Sequence, residues 1–172
     1  DSTYYLIVQL KLFDKNNNKI KNEEIKINIE NTLTMKNLEN NNITYNLIGT
    51  IEHNSDTISG GHYISHIKRN NKWYTCNDTK VNESNYNVNN VTTIKPYLLY
   101  FEKDGISYDK NVGNLRRDVP IGISNEGNTC FLSAVMQNLF NIPELISTVK
   151  DAAQQPTPTT TTPSTTTTPT PT

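Results

Sequence analysis

The sequence predicts an α+β fold, an antiparallel sheet followed by helix, from three observations. Strand-type patterning fills most of the first hundred residues, a helical period begins abruptly at Cys130, and from Gln154 the chain gives way to almost pure Thr and Pro. Tyr4 to Phe13 is rich in β-branched and aromatic residues and alternates after Val8, and Asn16-Asn17-Asn18-Lys19 then reads as a turn. Ile25, Ile27 and Ile29 alternate with Lys26 and Asn28, the pattern of a half-buried strand. Tyr45 to His53 is a further strand. Tyr63 to Lys68 and Trp73 to Cys76 form a hairpin across Arg69-Asn70-Asn71-Lys72, and Tyr97 to Phe101 reads as a short central strand. The Asn-rich stretches Asn40 to Asn42 and Asn85 to Asn90 read as loops.

From Cys130 to about Phe140 the spacing predicts a helix capped by Asn128 or Thr129. Phe131, Val135 and Leu139, with Leu132, Met136 and Phe140, recur every four residues, so they are expected to form its broad apolar face. Asn141 and Pro143 suggest the cap and first turn of a second helix, about Pro143 to Val149. The Thr/Pro stretch has no aliphatic side chain to bury and is expected to be a disordered tail.

With 172 residues the chain can bury one real core, and a formal net charge of -1 gives no electrostatic case for nucleic acid or an anionic membrane. No apolar run is long enough to span a bilayer, and no charged-then-apolar leader precedes the first strand. The expectation is a cytoplasmic or nuclear protein, although a chain opening on Asp1 gives the missing leader little weight. Two cysteines, Cys76 and Cys130, can build neither a disulfide framework nor a four-thiolate zinc site, so no metal or other cofactor is expected. Cys76 is expected to be a small buried hydrophobe.

Cys130 is different. It stands at a predicted helix N-terminus, where backbone dipoles favour negative charge and lower a thiol pKa. Taken alone, a cysteine in an amphipathic helix reads first as core packing. A nucleophile also needs a base and oxyanion donors. Asn125, on the loop before the helix, is a side-chain donor. His62 follows Gly60-Gly61 and opens a strand, where close approach of a substrate is sterically allowed. His53, expected to make structural hydrogen bonds, and His66, expected on an exposed face, compete with it. Asn77 or Asp78, on the neighbouring strand, could bind the His62 Nδ1–H and turn Nε2 toward the thiol. Adjacent strand residues point to opposite faces, so only one of them can do so unless the strand bulges.

Gly122-Ile123-Ser124-Asn125-Glu126-Gly127-Asn128-Thr129-Cys130-Phe131-Leu132, with Gln137-Asn138-Leu139-Phe140, resembles the cysteine box of the ubiquitin-specific proteases. Gly60-Gly61-His62-Tyr63, Lys72-Trp73-Tyr74, Asn77-Asp78 and Tyr97-Leu98-Leu99-Tyr100 resemble the histidine box of the same family, and Tyr45 to His53 and Leu6 to Phe13 resemble its earlier palm strands. The resemblance implies a papain-like fold and a thiol-dependent hydrolase acting after the C-terminal glycine of ubiquitin, with ubiquitin or ubiquitinated proteins as partners. It further implies Cys130 as nucleophile, His62 as base, Asn77 and Asp78 as the third and assisting positions, Asn125 as oxyanion donor, and Gly60, Gly61 and Tyr63 as substrate-binding residues. The expected units are a palm sheet over 1–103, a linker over 104–120, a cysteine-box helix segment over 121–153 and the tail over 154–172.

Two departures matter. The family places the cysteine box first and the histidine box last, and here His62 precedes Cys130. Nothing corresponds to the family's thumb helices or zinc-binding fingers. Circular permutation, the junction of two broken domains, and a fragment completed by a partner chain all fit this order. Asp104 to Pro120 could reach on the order of 55–60 Å when extended, enough to join old termini across a domain face. A catalytically inactive ubiquitin-binding module or rearranged remnant is the alternative to an enzyme.

Overall fold

In the computed structural model of the protein, residues 3–20, 29–57, 59–88, 96–107 and 118–154 are described. The strands are β1 (Tyr5–Gln9), β2 (Thr32–Lys36), β3 (Asn42–Asn54), β4 (His62–Arg69), β5 (Lys72–Asn77), β6 (Lys80–Ser84) and β7 (Pro96–Lys103). They are followed by helices α1 (Cys130–Leu139) and α2 (Pro143–Gln154). The strands form one antiparallel sheet in the order β1-β7-β3-β4-β5-β6, with β2 also paired to β3. The fold is α+β, as the sequence predicts.

The run Tyr97 to Phe101 does lie inside the sheet, as the core of β7 between β1 and β3. The predicted hairpin is β4–β5. Arg69 pairs with Lys72, and the two residues between them, Asn70 (φ 48) and Asn71 (φ 61), are both left-handed. Asparagine tolerates that region better than other non-glycine residues, and the resulting turn matches the twist of paired strands. Two strands escaped the sequence reading. β2 is short and mostly exposed. β6 is a polar edge strand whose Lys, Asn and Glu side chains give no apolar alternation. The predicted strand over Ile25, Ile27 and Ile29 lies outside the described residues except for Ile29, which is buried in the core. The Thr/Pro tail and most of the 104–120 segment also lie outside them.

The two faces of the sheet are covered differently. On one, Leu47, Leu99, Phe101 and Tyr45 pack with Leu10, Leu12, Phe13, Ile29 and Val88 from the connecting segments. On the other, Ile48, Ile51 and Tyr100 pack against Ala134 of α1.

The expected apolar face of α1 is not the face that docks. The buried residues of α1 are Cys130, Ser133, Ala134, Gln137 and Asn138, while Phe131 is 44% and Leu132 57% exposed. Spacings of three and four put those small and carboxamide residues on one stripe, which Asn141 extends. The reason lies in the surface that α1 meets, which contains strand carbonyls removed from water. Asn141 Nδ2 donates to Ile48 O (3.0 Å) and Lys68 O (3.3 Å), and its Oδ1 accepts from Arg69 Nε (3.2 Å). Asn138 Nδ2 donates to Ser65 Oγ (2.8 Å) and Ala134 O (3.2 Å). A buried acceptor without a donor costs about 1–3 kcal/mol, so the carboxamides take the interface and the aromatic rings turn outward. For the same reason Asn141, expected to cap α2, is fully buried and bonds the sheet instead.

Candidate active site

The site forms where the open ends of β4 and β5 meet the N-terminus of α1. β4 begins at His62. β5 ends at Asn77, and Asp78-Thr79 turns the chain into β6, with Asn77 paired to Lys80. Asp78 is left-handed (φ 51), so the strand stops alternating there. Both Asn77 and Asp78 therefore reach the histidine, resolving the one-face restriction that an unbroken strand would impose.

His62 Nε2 lies 2.6 Å from Asn77 Oδ1 and 4.0 Å from Asp78 Oδ2. This corrects the expected orientation: Nε2, not Nδ1, meets the third residue. An amide oxygen only accepts, so Nε2–H donates, and in the neutral ring Nδ1 then holds the lone pair. The ring is 35% exposed in its side chain, open to a substrate.

The segment ahead of α1 runs from the β4–β5 turn, where Asp118 Oδ1 accepts from Asn70 Nδ2 (2.7 Å), past α1, where Ile121 O accepts from Gln137 Nε2 (2.5 Å), to this corner. Ile123 N donates to Asp78 O (3.0 Å), and Asn125 Nδ2 donates to Asp78 Oδ2 (3.2 Å). Gly122 allows the closest approach, because a β-carbon there would sit inside the backbone of Thr79. Gly122→Ala is therefore expected to force the two segments apart and cost about 1–3 kcal/mol, the usual penalty of overpacking, in urea unfolding. An unchanged midpoint would show that this seam does not hold the corner together.

Thr129 occupies the N-cap of α1 but makes no side-chain capping bond. Its Oγ1 instead accepts from Glu126 N (2.9 Å) and donates to Asn125 Oδ1 (3.0 Å), and its own N–H donates to the same oxygen (3.1 Å). The expected cap, from Asn128 or Thr129, is thus replaced by a loop lock on Asn125. Cys130 follows as the first helical residue, a free thiol 7% exposed, with no acidic residue in its turn. Among the described residues no hydrogen bond joins Cys130 to His62. Their neighbours bring the two sides together, Tyr63 meeting Phe131 edge-to-face with ring centroids 5.0 Å apart. Burial raises the Tyr63 phenol pKa, with Tyr97 and Cys130 adding to the effect. Gly60 and Gly61 lie on the exposed turn leading into His62, with Gly61 left-handed (φ 115).

The remaining candidates separate cleanly. Cys76 is buried with Ile67 and Tyr74, and burial pushes its thiol up to about 12, so it packs as a hydrophobe. His53 is 2% exposed and bonds Gly60 O through Nε2 (2.8 Å). His66, expected on an exposed face, is buried instead. Its Nε2 lies 2.8 Å from Glu52 Oε1, its Nδ1 3.0 Å from Thr75 Oγ1, and its ring stacks on Tyr86. Tyr86 comes from the polar stretch after β6, so no local pattern announced this cover. Missed altogether were Gln137, Asn138 and Asn141 as the residues that seat the helix. Carboxamides in an amphipathic pattern read as solvent-facing unless the partner surface is known. No group of three or more His, Cys, Asp or Glu among the described residues could hold a metal ion, and no described helix is long and apolar enough to cross a membrane.

Known proteins share parts of this chain. The yeast SAGA DUBm with a mutant Sgf73 is 28% identical, covering 60% of this chain and 26% of that one at a TM-score of 0.47. The SAGA Ubp8/Sgf11/Sus1/Sgf73 DUB module bound to ubiquitin aldehyde is also 28% identical, covering 60% and 25% at a TM-score of 0.47. Ubiquitin carboxyl-terminal hydrolase A of Dictyostelium discoideum is 46% identical over 37 residues, 22% of this chain and 4% of that protein. The chain thus spans only a small part of each of these relatives. The family model described as ubiquitin carboxyl-terminal hydrolase matches residues 4–101 and 121–167. With both boxes inside that match, the chain belongs to the ubiquitin carboxyl-terminal hydrolase family.

Proposed function

We propose that the protein is a thiol-dependent deubiquitinating enzyme that hydrolyses the peptide or isopeptide bond after the C-terminal glycine of ubiquitin. The observation that carries this reading is the His62 ring. Asn77 holds its Nε2–H, its Nδ1 lone pair is left over, and it stands at the corner where a thiol begins a helix. Family membership supports ubiquitin as the partner.

In the proposed reaction, His62 Nδ1 takes the Cys130 proton and Sγ attacks the glycine carbonyl carbon. The carbonyl π electrons move onto oxygen, which the Asn125 amide and the backbone N–H groups at the start of α1 stabilise. Asn125 Nδ2 leaves Asp78 to do so. The C–N bond breaks as the protonated His62 gives its proton to the departing amine, leaving a thioester. Water, deprotonated by His62, then attacks the thioester and releases the ubiquitin carboxylate and the thiol. Catalytic hydrogen bonds tighten on substrate binding, which in this reading closes the gap between Cys130 and His62. Gly60, Gly61 and Tyr63 line the approach for a chain ending in two small residues.

The swapped order fits a circular permutation or an equivalent cut. The lacing of Ile123 and Asn125 to Asp78 supports both boxes working as one unit. The test is covalent labelling by ubiquitin carrying a C-terminal electrophile. The parent chain is expected to gain the mass of one ubiquitin, and Cys130→Ala to gain none. Ubiquitin bound without labelling would instead describe a non-catalytic binding module.

A further inference from the structure

His53, one residue before the end of β3, lies directly opposite Tyr63 of β4 and stacks on it, ring centroids 4.4 Å apart at 27°. Phe13 (5.6 Å) and Tyr97 (6.3 Å) close the rest of an aromatic box around it. An apolar ring would fill that box equally well, so packing alone does not account for a histidine. Its Nε2 lies 2.8 Å from Gly60 O, and since a carbonyl only accepts, Nε2–H donates. Nδ1 is buried with no partner, so the ring is anchored by that one bond. Lys19 Nζ donates to the His53 carbonyl (2.9 Å) and steadies the strand end from the other side. The turn rests directly on the ring, since a β-carbon on Gly61 would fall 2.9 Å from His53 Nε2 and 2.8 Å from Asn54 O.

We propose that His53 is a positioning residue: its bond to Gly60 fixes the Gly60–Gly61 turn and thereby the direction in which His62 enters the site. This rests on the reading of His62 as the base. The earlier part of the loop is held by Lys19 N, which donates to Asp56 O (2.9 Å), whereas Gly60 and Gly61 are exposed; His62 follows the bonded carbonyl by two residues, so a turn released at Gly60 transmits its movement directly to the imidazole. Misplacement of a reacting group by about 1 Å can cost on the order of 100-fold in rate.

Two variants of the full chain test this. His53→Phe keeps a ring in the aromatic box and removes the donor. His53→Gln removes the ring and keeps an amide donor. With a fluorogenic C-terminal amide of ubiquitin, the Phe variant is expected to lose about 10–100-fold in kcat with KM little changed. Its unfolding midpoint should stay near that of the parent, and the Gln variant should recover most of the lost kcat. The pH profile of Cys130 alkylation by iodoacetamide, which needs no ubiquitin, should move toward that of an isolated thiol in the Phe variant and back in the Gln variant. A Phe variant with the parent's alkylation profile overturns the proposal, as does a Gln variant no better than Phe. A parent chain that shows a shifted alkylation profile but never turns over the ubiquitin amide would fail as a deubiquitinase while still judging His53.

Discussion

His62→Ala is expected to lower kcat on a ubiquitin C-terminal amide by on the order of 10²–10⁴-fold, the usual worth of a positioned general base. The chain has three histidines, and neither of the others can take over. His53 is buried with its Nε2 committed to Gly60 O, and His66 is buried between Glu52, Thr75 and Tyr86. Asn77→Ala should cost less, because the ring would remain and only its tautomer and direction would be released. Steady-state kinetics on the two variants, with circular dichroism to confirm folding, provides the check. If His62→Ala kept activity within about threefold of the parent, less than any general base contributes, His62 would be removed from the chemistry.

Asn141→Ala is expected to destabilise the fold by about 3 kcal/mol, more than any surface substitution. The side chain is 0% exposed and serves two strand carbonyls and a guanidinium at once. Truncation removes the donor from the Ile48 and Lys68 carbonyls and the acceptor from Arg69 Nε. Urea unfolding monitored at Trp73 would measure the loss. A change below about 0.5 kcal/mol, the level of ordinary surface substitutions, would mean that apolar contacts at Ala134 and Val135 suffice to hold α1 on the sheet. Since Cys130 opens that helix, the same variant should also lose reactivity at the thiol.

What could be read in the sequence follows from how local each feature is. The β4–β5 hairpin was legible because two consecutive asparagines suit two consecutive left-handed residues. The start of α1 at Cys130 was legible because the period changes there. Cys130, His62, Asn77, Asp78 and Asn125 stood out as a set only through the resemblance to the family's two boxes, since Cys130, His62 and Asn77-Asp78 taken singly also read as ordinary core, surface and turn residues. β2 and β6 were missed because a short exposed strand at the margin of a sheet carries no apolar alternation. The face of α1 was misjudged because a helical period reports that a stripe exists, whereas the surface it meets decides which stripe is buried. Here strand carbonyls removed from water required donors, and the Asn138 and Asn141 carboxamides supplied them.

By itself the sequence determined the α+β class, because turn formers and periods act within a few residues of one another, and its two boxes carried the resemblance to the family. Tertiary structure alone decided which imidazole nitrogen meets Asn77, that Asp78 leaves the strand to reach the same ring, that His66 is buried, and that α1 docks through amides. Those outcomes depend on residues brought together from distant parts of the chain, whose hydrogen-bonding needs are settled only once water has been excluded between them.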